Sequence, residues 1–217
     1  MSTTIEHPTT TIEHPTTIEL TAIEPITNTS RLSGIKYNVH TCFQHHTKER
    51  MNEISKVLSL PVHLMLFNLD GNMNIAMSVR SAAVLGCSDV WIVGKRGYDA
   101  RPEVGAKNYI RIHKLDTLND PNTFFTTNNI QPFLIEQGGI SLESINFKPY
   151  MSNPVCFIMG SESNGIPESF MKVMKDTPRL TISQYGMVRS LNVSVASSII
   201  IYEYLRQLRQ KNPHSTC

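Results

Sequence analysis

The residues whose types could do chemistry lie in three short polar segments of the chain. Asn74 precedes Arg80 by six positions in the first segment, and Glu162 lies in a glycine-rich turn that forms the second. Ser190 and Asn192 belong to the third, just before an apolar run. Together the segments offer a positive charge, a carboxylate and several neutral hydrogen-bonding groups. Groups of these types can orient a polar ligand and stabilise the charge that develops on it during a reaction.

The glycine-rich turn, residues 160–165, reads Gly-Ser-Glu-Ser-Asn-Gly. No Gly-Lys-Ser/Thr follows it, so it does not match the phosphate-binding loop of nucleoside triphosphatases, and it does not match Gly-x-Gly-x-x-Gly either. A phosphate site is therefore the weaker interpretation, and a neutral or cationic ligand held by backbone groups remains open. A metal is not expected, because Cys42, His45 and His46 have no second cluster of ligands to complete a site.

The polar segments need a scaffold, and the hydrophobic pattern predicts one. Apolar runs of strand length alternate with stretches of helical pattern, which is typical of a parallel α/β sheet. We expect strands at 62–67, 89–94, 131–136, 155–159 and 180–182, and helices at 51–58, at 74–85, from Pro167 onward and at 190–210. Because the polar segments follow the first, fourth and fifth strands, we expect them at the edge of the sheet where such folds bind ligands.

Residues at helix ends connect this scaffold to the polar segments. Asn74 is expected to cap the helix that carries Arg80, because its side chain can accept a hydrogen bond from the first turn. Ser190 is expected to open the last helix, and Ser190 and Asn192 can both cap it and line the site. The Glu162 carboxylate is expected to accept a hydrogen bond from Asn192 or Ser190 and so to hold the second and third segments together.

Composition sets the broad class of the protein. The 217 residues are 40% hydrophobic and 18% charged, which excludes a fully disordered chain, a collagen and a coiled coil. No apolar stretch approaches the roughly 18 residues of a membrane span, and the first residues do not resemble a secretory signal. The four cysteines are scattered without Cys-x-x-Cys spacing. We therefore expect reduced thiols in a cytoplasmic protein that does not associate with membranes.

The organisation along the chain is uneven. Residues 1–33 form a Thr-, Glu- and Pro-rich tail in which Ile-Glu pairs repeat at progressively shorter spacing. We expect this tail to be disordered because it cannot bury enough apolar surface to offset its chain entropy. Residues 34–59 are expected to be a linker and a short helix, 60–212 a single folded domain, and 213–217 a flexible end.

In the three polar segments the sequence resembles the SpoU class of the SPOUT methyltransferases. The family's first motif, an asparagine followed six residues later by an arginine, corresponds to residues 74–80, Asn-Ile-Ala-Met-Ser-Val-Arg. The second, a strand followed by Gly-x-Glu-x-x-Gly, corresponds to 157–165. The third, which contains Ser-Leu-Asn-Val-Ser, corresponds to 182–196. The motifs occur in the family's order, and the resemblance covers about residues 60–210.

The resemblance implies an α/β fold whose C-terminal part threads a trefoil knot. It also implies transfer of a methyl group from S-adenosylmethionine to a ribose 2′-hydroxyl of tRNA or rRNA, with tRNA slightly favoured, by a homodimer. Residues 60–212 would then be the methyltransferase domain. Two other interpretations remain open, namely a catalytically inactive RNA-binding protein that retains the fold, and a generic α/β nucleotide-binding protein.

The same resemblance implies roles for individual residues. Arg80 would act on the ribose hydroxyl, either as a general base or by stabilising the developing alkoxide. The remaining catalytic positions would be Asn74, Glu162, Ser190 and Asn192. The contacts to S-adenosylmethionine would come from the glycine-rich turn and the third motif, at Gly160, Ile182, Met187 and Leu191.

An RNA substrate requires positive charge near the site. A basic segment follows the second predicted strand, and we expect its Lys95, Arg96 and Arg101, together with Arg189 of the third motif, to contact RNA. The segment adds further bases and two tyrosines that could stack on nucleotides, namely Lys107, Arg111, Lys114, Tyr98 and Tyr109. A solvated charged loop without RNA contacts is the alternative.

Two positions depart from the family pattern. Ser183 stands where many members have proline, and Arg189 stands where many have a small or acidic residue. Residues 34–59 are also shorter than the separate RNA-binding domain that some members carry. We therefore expect RNA to be held by the methyltransferase domain itself or by its dimer.

Overall fold

The computed structural model describes residues 38–67, 72–94 and 97–211, all of which belong to one unit of the chain, Tyr37–Cys217. The predicted tail at 1–33 and the predicted end at 213–217 lie outside the described residues, as do Lys95 and Arg96. No helix of the described part is long and apolar enough to cross a bilayer.

The described residues form six β-strands and five α-helices. The strands are β1 Leu60–Phe67, β2 Cys87–Val93, β3 Arg111–Leu115, β4 Gln131–Ser141, β5 Val155–Met159 and β6 Arg179–Thr181. The helices are α1 Lys48–Leu58, α2 Asn72–Val84, α3 Pro121–Thr127, α4 Glu168–Val173 and α5 Val193–Lys211.

The strands form one sheet in the order β3-β2-β1-β5-β4-β6, and all five adjacent pairs are parallel. Strand β5 lies inside the sheet and each of its residues is buried. Burial on both faces explains why this segment is a continuous apolar run. The predicted parallel α/β sheet is therefore confirmed.

Alternate residues of β1 supply a core on each face of the sheet. On one face, Leu64 and Leu66 share a buried cluster with side chains of α2 and α5. On the other, Met65 and Phe67 pack with α3 and α4, where the rings of Phe67 and Phe170 lie 4.8 Å apart between centroids. Helices α2 and α5 also contact each other. Because α2 follows β1, its first turn lies at the carboxyl edge of the sheet.

The sequence-based boundaries differ from the structure in an informative way. All five predicted strands are present, and all but β4 agree with the structure to within two residues at each end. Strand β4 continues to Ser141, five residues beyond its predicted end at 136. The prediction that Ser190 opens the last helix is wrong, because α5 begins at Val193. The prediction that Asn74 caps its helix is also wrong, because α2 begins two residues earlier, at Asn72.

Strand β3 and helix α3 are absent from the sequence-based prediction. Strand β3 reads Arg-Ile-His-Lys-Leu and lies at an edge of the sheet. Its basic side chains hide the apolar pattern of a strand, but Arg111 and His113 have an internal partner. That partner is Asp89, which lies opposite Arg111 in the register of β2 and β3.

Asp89 is the centre of a buried ion-pair network, which we call the Asp89 cluster (His63, Asp89, Arg111 and His113). Arg111 donates to both carboxylate oxygens, at 2.7 and 2.8 Å, and His113 Nε2 lies 2.7 Å from Oδ1. His63 Nδ1 lies 3.3 Å from Oδ2. Burial raises the pKa of Asp89, but hydrogen bonds with His113 and Arg111 and the nearby His63 outweigh it and hold the pKa well below its usual range. The cluster joins β1, β2 and β3.

Candidate active site

The glycine-rich turn after β5 is built from close backbone contacts. Ser161 and Gly165 exchange two backbone hydrogen bonds, at 3.0 and 2.9 Å. A Cβ on Gly160 would lie 2.0 Å from the carbonyl carbon of Gly165, so a larger residue would open the turn. Gly165 itself has a φ of +65°, which favours glycine. The turn presents Glu162 outward as an exposed side chain.

Three of the predicted site residues meet in a chain of hydrogen bonds, which we call the Asn74 relay (Glu162, Asn74 and Asn192). The Asn74 amide donates to Glu162 Oε1 in a close hydrogen bond. Asn192 Nδ2 in turn donates to Asn74 Oδ1 at 3.0 Å. The relay joins the turn after β5, the first turn of α2 and the segment before α5. The predicted convergence of the three polar segments therefore holds for these residues.

The partners within the relay differ from the prediction. Glu162 accepts from Asn74 rather than from Asn192 or Ser190, because the first turn of α2 lies between the other two segments. Of the two residues predicted to cap α5, Asn192 does so, since its Oδ1 accepts from the backbone N–H of Ser194 at 2.9 Å and from the Ser194 hydroxyl at 2.6 Å. Ser190 is exposed and makes no hydrogen bond within the described part of the chain.

Arg80 lies on the exposed face of α2. It shares that face with Met73, Met77 and Val84, which are 62%, 40% and 78% exposed. Side chains of an α-helix lean toward its N-terminus, so Arg80 extends toward the helix end that carries Asn74. Among the described residues, Arg80 has neither a hydrogen bond nor an ion pair.

The loop 182–192 supplies an unusual set of exposed apolar side chains. Met187 is fully exposed, and Tyr185, Val188 and Leu191 are 91%, 80% and 45% exposed. Ile182 is half-buried at the start of the loop. Large apolar groups that cluster at a surface commonly mark a binding site. The predicted cofactor contacts thus lie on two adjacent loops, with Gly160 on the turn after β5 and the other three on this loop.

The predicted RNA-binding residues have different environments. Arg189 has an exposed side chain without a partner among the described residues. Arg101 is also exposed but is held by Asp99, with Nη2 2.6 Å from Oδ2. This pairing raises the pKa of Arg101 and lowers that of Asp99. Arg111 is occupied by Asp89 in the buried cluster.

The two tyrosines of the basic segment also have internal contacts. The Tyr98 hydroxyl donates to the buried Glu103 at 3.0 Å, and burial followed by this hydrogen bond raises the pKa of Tyr98 to about 12. Lys114 lies 5.4 Å from the centre of the Tyr98 ring. Tyr109 is half-buried, with its hydroxyl 4.0 Å from the Met51 sulfur. Neither ring is a freely exposed stacking surface.

Sequence reasoning missed the residues that connect β4 to the two loops. Glu136 accepts a hydrogen bond from the backbone of Ile166 at 3.0 Å, and Gln137 donates to the carbonyl oxygen of Arg189 at 3.2 Å. The available signal was the polar pair followed by Gly138 and Gly139, directly after a buried strand. This pattern is a fourth polar turn at the same edge of the sheet.

Other features of the described residues do not form the site. No group of three or more His, Cys, Asp or Glu side chains in that part of the chain is arranged to hold a metal ion. A shallow cavity of about 370 Å³ lies between the start of β4 and Pro178, before β6. This is the amino edge of the sheet, opposite the carboxyl edge where parallel α/β sheets bind ligands.

Comparison with known proteins identifies the family. Residues 61–202 match the model of the SpoU rRNA Methylase family. The chain belongs to this family. The predicted membership is thereby confirmed, and with it the predicted class of activity, S-adenosylmethionine-dependent 2′-O-methylation of RNA.

Curated proteins that are similar to this chain support the assignment to this family. The tRNA (guanosine(18)-2′-O)-methyltransferase of Aquifex aeolicus (strain VF5) is 26% identical over 172 residues, which are 77% of this chain and 79% of the relative. The enzyme of that name from Escherichia coli (strain K12) is 28% identical over 138 residues, 62% of this chain and 58% of the relative.

The fold is shared with solved members of the family. A crystal structure of the A. aeolicus TrmH/SpoU tRNA modifying enzyme superposes with a TM-score of 0.64 at 22% identity, covering 76% of this chain and 83% of that one. An AdoMet-bound rRNA methyltransferase from Sinorhizobium meliloti gives a TM-score of 0.56 at 23% identity, covering 68% and 56%.

Proposed function

We propose that this SpoU-family protein transfers the methyl group of S-adenosylmethionine to a ribose 2′-hydroxyl of tRNA. The observation that carries the proposal is the Asn74 relay, which joins three family motifs through the helix that also carries Arg80. The Arg80 side chain has no hydrogen bond or ion pair among the described residues. The preference for tRNA over rRNA is supported by the relatives named tRNA (guanosine(18)-2′-O)-methyltransferase, one of which aligns with 77% of the chain. We further propose that the protein acts on this substrate in the cytoplasm.

The residues of the two loops fit S-adenosylmethionine. The exposed Met187 and Leu191 and the half-buried Ile182 can cover the faces of an adenine ring, which removes apolar surface from water. The open space around Gly186, where a Cβ would meet nothing within 4 Å, leaves its backbone approachable. Gly160 keeps the turn after β5 closed and so borders the same space. When bound, S-adenosylmethionine supplies an electrophilic methyl group on a positively charged sulfur.

Arg80 is proposed to act on the RNA rather than on the cofactor. A ribose 2′-hydroxyl becomes a good nucleophile as its proton leaves, and a positive charge beside the oxygen stabilises the developing alkoxide. Because a guanidinium group does not lose its proton in proteins, we favour this electrostatic role over that of a general base. The same group can pair with an RNA phosphate, and its planar fork suits two hydrogen bonds to one phosphate.

The Asn74 relay is proposed to hold the site in shape for Arg80. Glu162 has an exposed carboxylate, and Asn192 fixes the start of α5 through its hydrogen bonds to Ser194. Their amide partner Asn74 lies six residues before Arg80 on α2. Ser190 lies two residues before Asn192, and its hydroxyl has no hydrogen bond among the described residues. We assign this hydroxyl to RNA or cofactor rather than to helix capping.

Positive side chains around the site are proposed to hold the RNA backbone. Arg189 is suited to this role because it is exposed and unpaired among the described residues. Arg101 could exchange Asp99 for a phosphate, since its ion pair is exposed and such pairs are weak. Lys95 and Arg96 stay candidates from the sequence.

A homodimer and a trefoil knot complete the proposal. Exposed apolar residues on α2 and α5 support the dimer, because they would leave water at an interface between two copies. They are Met73, Met77, Val84, Val195 and Tyr202. The knot is supported by the path of the chain, since residues 182–192 leave the edge strand β6 and bring Asn192 to Asn74, beyond β4 and β5.

Two measurements on the purified full chain test the function. Calorimetry should detect binding of S-adenosylmethionine, and a tritiated methyl group should be transferred to total tRNA from a strain that lacks the gene. Nuclease mapping should then place the label on one ribose 2′-oxygen. Binding without transfer to tRNA or rRNA would favour the alternative of an inactive RNA-binding protein. Light scattering that shows a 24.5 kDa monomer at micromolar concentration would contradict the dimer.

A further inference from the structure

Strand β4 ends between the two loops that carry the proposed cofactor contacts. It lies between β5 and β6 in the sheet. The turn 160–165 follows β5, and the loop 182–192 follows β6. Any side chain that leaves the carboxyl end of β4 therefore lies beside both loops.

The end of β4 is irregular in a way that turns its side chains toward those loops. The pairing with β6 shifts register between Ile135 and Ile140. Within this interval, Gly138 has a φ of +74°, and a Cβ on Gly139 would lie 2.4 Å from the carbonyl oxygen of Arg179. Such a bulge commonly redirects side chains next to an active site. The two glycines thus permit a local path that other residues would not adopt.

Glu136 contacts the first of the two loops. Its Oε1 accepts a hydrogen bond from the backbone N–H of Ile166 at 3.0 Å. The same oxygen lies 2.8 Å from the place that a Cβ on Gly165 would take. Glu136 thus fastens the end of the turn that carries Gly160 and Glu162. The contact is specific, because it uses one backbone donor and requires glycine beside it.

Gln137 contacts the second loop. Its Nε2 donates to the carbonyl oxygen of Arg189 at 3.2 Å. Arg189 lies between Met187 and Leu191, whose side chains are exposed. A second link is formed by Glu143, whose carboxylate accepts from the Ser183 hydroxyl at 2.8 Å. The loop is therefore held to the β4 segment at both ends.

We propose that Glu136 and Gln137 are positioning residues that set the distance between the two loops and thereby the affinity for S-adenosylmethionine. This inference rests on the proposed function. The two residues act through the backbones of Ile166 and Arg189 and do not touch the reacting atoms. Their loss should therefore weaken cofactor binding more than it slows methyl transfer in the saturated enzyme.

Four variants of the full chain test the proposal. Glu136→Ala removes the acceptor, and Glu136→Gln keeps an oxygen that can accept the same hydrogen bond. Gln137→Met removes the donor at nearly constant size. Gln131→Met is the matched control, since it makes the same change at the other end of β4, about 20 Å away.

Each variant is measured without and with cofactor. Exchange of the Ile166 amide hydrogen, followed by NMR without cofactor, should quicken in Glu136→Ala but not in Glu136→Gln. The dissociation constant of S-adenosylmethionine should rise roughly threefold to tenfold in Glu136→Ala and Gln137→Met, as expected for one lost hydrogen bond. The single-turnover rate at saturating cofactor should change by less than about threefold, and Gln131→Met should match the wild type in all three measurements.

The possible results separate this inference from the proposed function. Unchanged exchange at Ile166 in Glu136→Ala would overturn the positioning role, whatever the binding data show. An equal loss of affinity in Glu136→Gln and Glu136→Ala would also overturn it, because the charge rather than the acceptor would then matter. Faster exchange in Glu136→Ala, with a wild-type protein that binds no S-adenosylmethionine, would instead overturn the proposed function.

Discussion

Two polar networks in this protein each join three elements of the fold, yet they differ in burial and charge. The Asp89 cluster joins β1, β2 and β3 around a carboxylate that is 2% exposed and is paired with Arg111 and in contact with two histidines. The Asn74 relay joins the turn after β5, α2 and the segment before α5 through an exposed carboxylate and two neutral amides. The first network has its own cation, Arg111. The second includes a residue of α2, the helix that carries Arg80, whose side chain has no partner among the described residues.

This difference separates a structural network from one that can serve a ligand. A buried carboxylate must keep its partners, because removal of one leaves an uncompensated charge in a poorly solvated place. The Asp89 cluster therefore holds its geometry and offers nothing to a substrate. Exposed amides lose little when they exchange a hydrogen bond for one to a ligand or to water. The Asn74 relay can thus adjust to RNA and cofactor while Arg80 supplies the charge.

The largest effect on stability is expected from the buried network. Asp89→Ala should lower the free energy of unfolding by about 1–3 kcal/mol, because Arg111 and two histidines lose the carboxylate that they share. The matched control is Asp99→Ala, which removes a half-buried carboxylate bound to a highly exposed arginine and should have a far smaller effect. Urea denaturation followed by circular dichroism measures both. Equal losses in the two variants would show that the Asp89 cluster is not the stabilising network we describe.

The largest effect on activity is expected from Arg80. Arg80→Ala should reduce the rate of methyl transfer by roughly 10²–10³-fold, because one preorganised charge at the developing alkoxide is lost. Affinity for S-adenosylmethionine should remain, since the arginine is assigned to the nucleophile. Arg80→Lys should also be impaired, because it loses the planar fork. Single-turnover methylation and calorimetry measure the two properties.

A matched variant controls for the loss of a helical arginine. Arg50→Ala removes an exposed arginine from α1, where its partner is Glu53 at 2.9 Å, and it should leave methyl transfer unchanged. Transfer at a near wild-type rate in Arg80→Ala would remove Arg80 from the catalytic group. Glu162 would then be the next candidate for activation of the hydroxyl, because it is the exposed carboxylate of the relay.

The same contrast explains what the sequence could predict. Buried parallel strands are continuous apolar runs, so β5 and most of β1 were predictable from pattern alone. Strand β3 was not, because Arg111 and His113 interrupt its apolar pattern. Their structural role depends on the pairing of β3 with β2, which places Asp89 opposite Arg111. An ion pair between strands is a tertiary contact, and local sequence periodicity does not predict it.

The site shows a similar limit. The order of strands and turns predicted that Asn74, Glu162 and Asn192 would meet at one edge of the sheet, and they do. Which side chain bonds to which depends on where α2 begins, and helix ends are the least predictable part of an element. Glu136 was missed because β4 was expected to end there, whereas the strand continues through a glycine bulge to Ser141.

An intermediate effect, confined to cofactor binding, is expected from the apolar loop. Leu191→Asp should raise the dissociation constant of S-adenosylmethionine by roughly tenfold or more, because a charge would face the apolar surface of the ligand. Val173→Asp on α4 is the matched control, since both residues are 45% exposed, and it should bind normally. Circular dichroism must show that both variants are folded. Equal binding by the two variants would remove the loop 182–192 from the cofactor site.

The smallest effect is expected in the pH dependence of stability. The hydrogen bonds from His113 and Arg111, with His63 nearby, outweigh burial and hold the pKa of Asp89 in the folded protein below its ordinary value of 3.8. A depressed folded-state pKa adds stability above the unfolded-state pKa, and this contribution is lost as the pH falls through the folded-state value. The difference in melting temperature between the wild type and Asp89→Asn should therefore shrink as the pH falls below about 4. A difference that stays constant down to about pH 3 would show that Asp89 does not cause this dependence. Asn74→Ala in the Asn74 relay removes a neutral amide. The difference in melting temperature between the wild type and Asn74→Ala should therefore not follow the titration of Asp89.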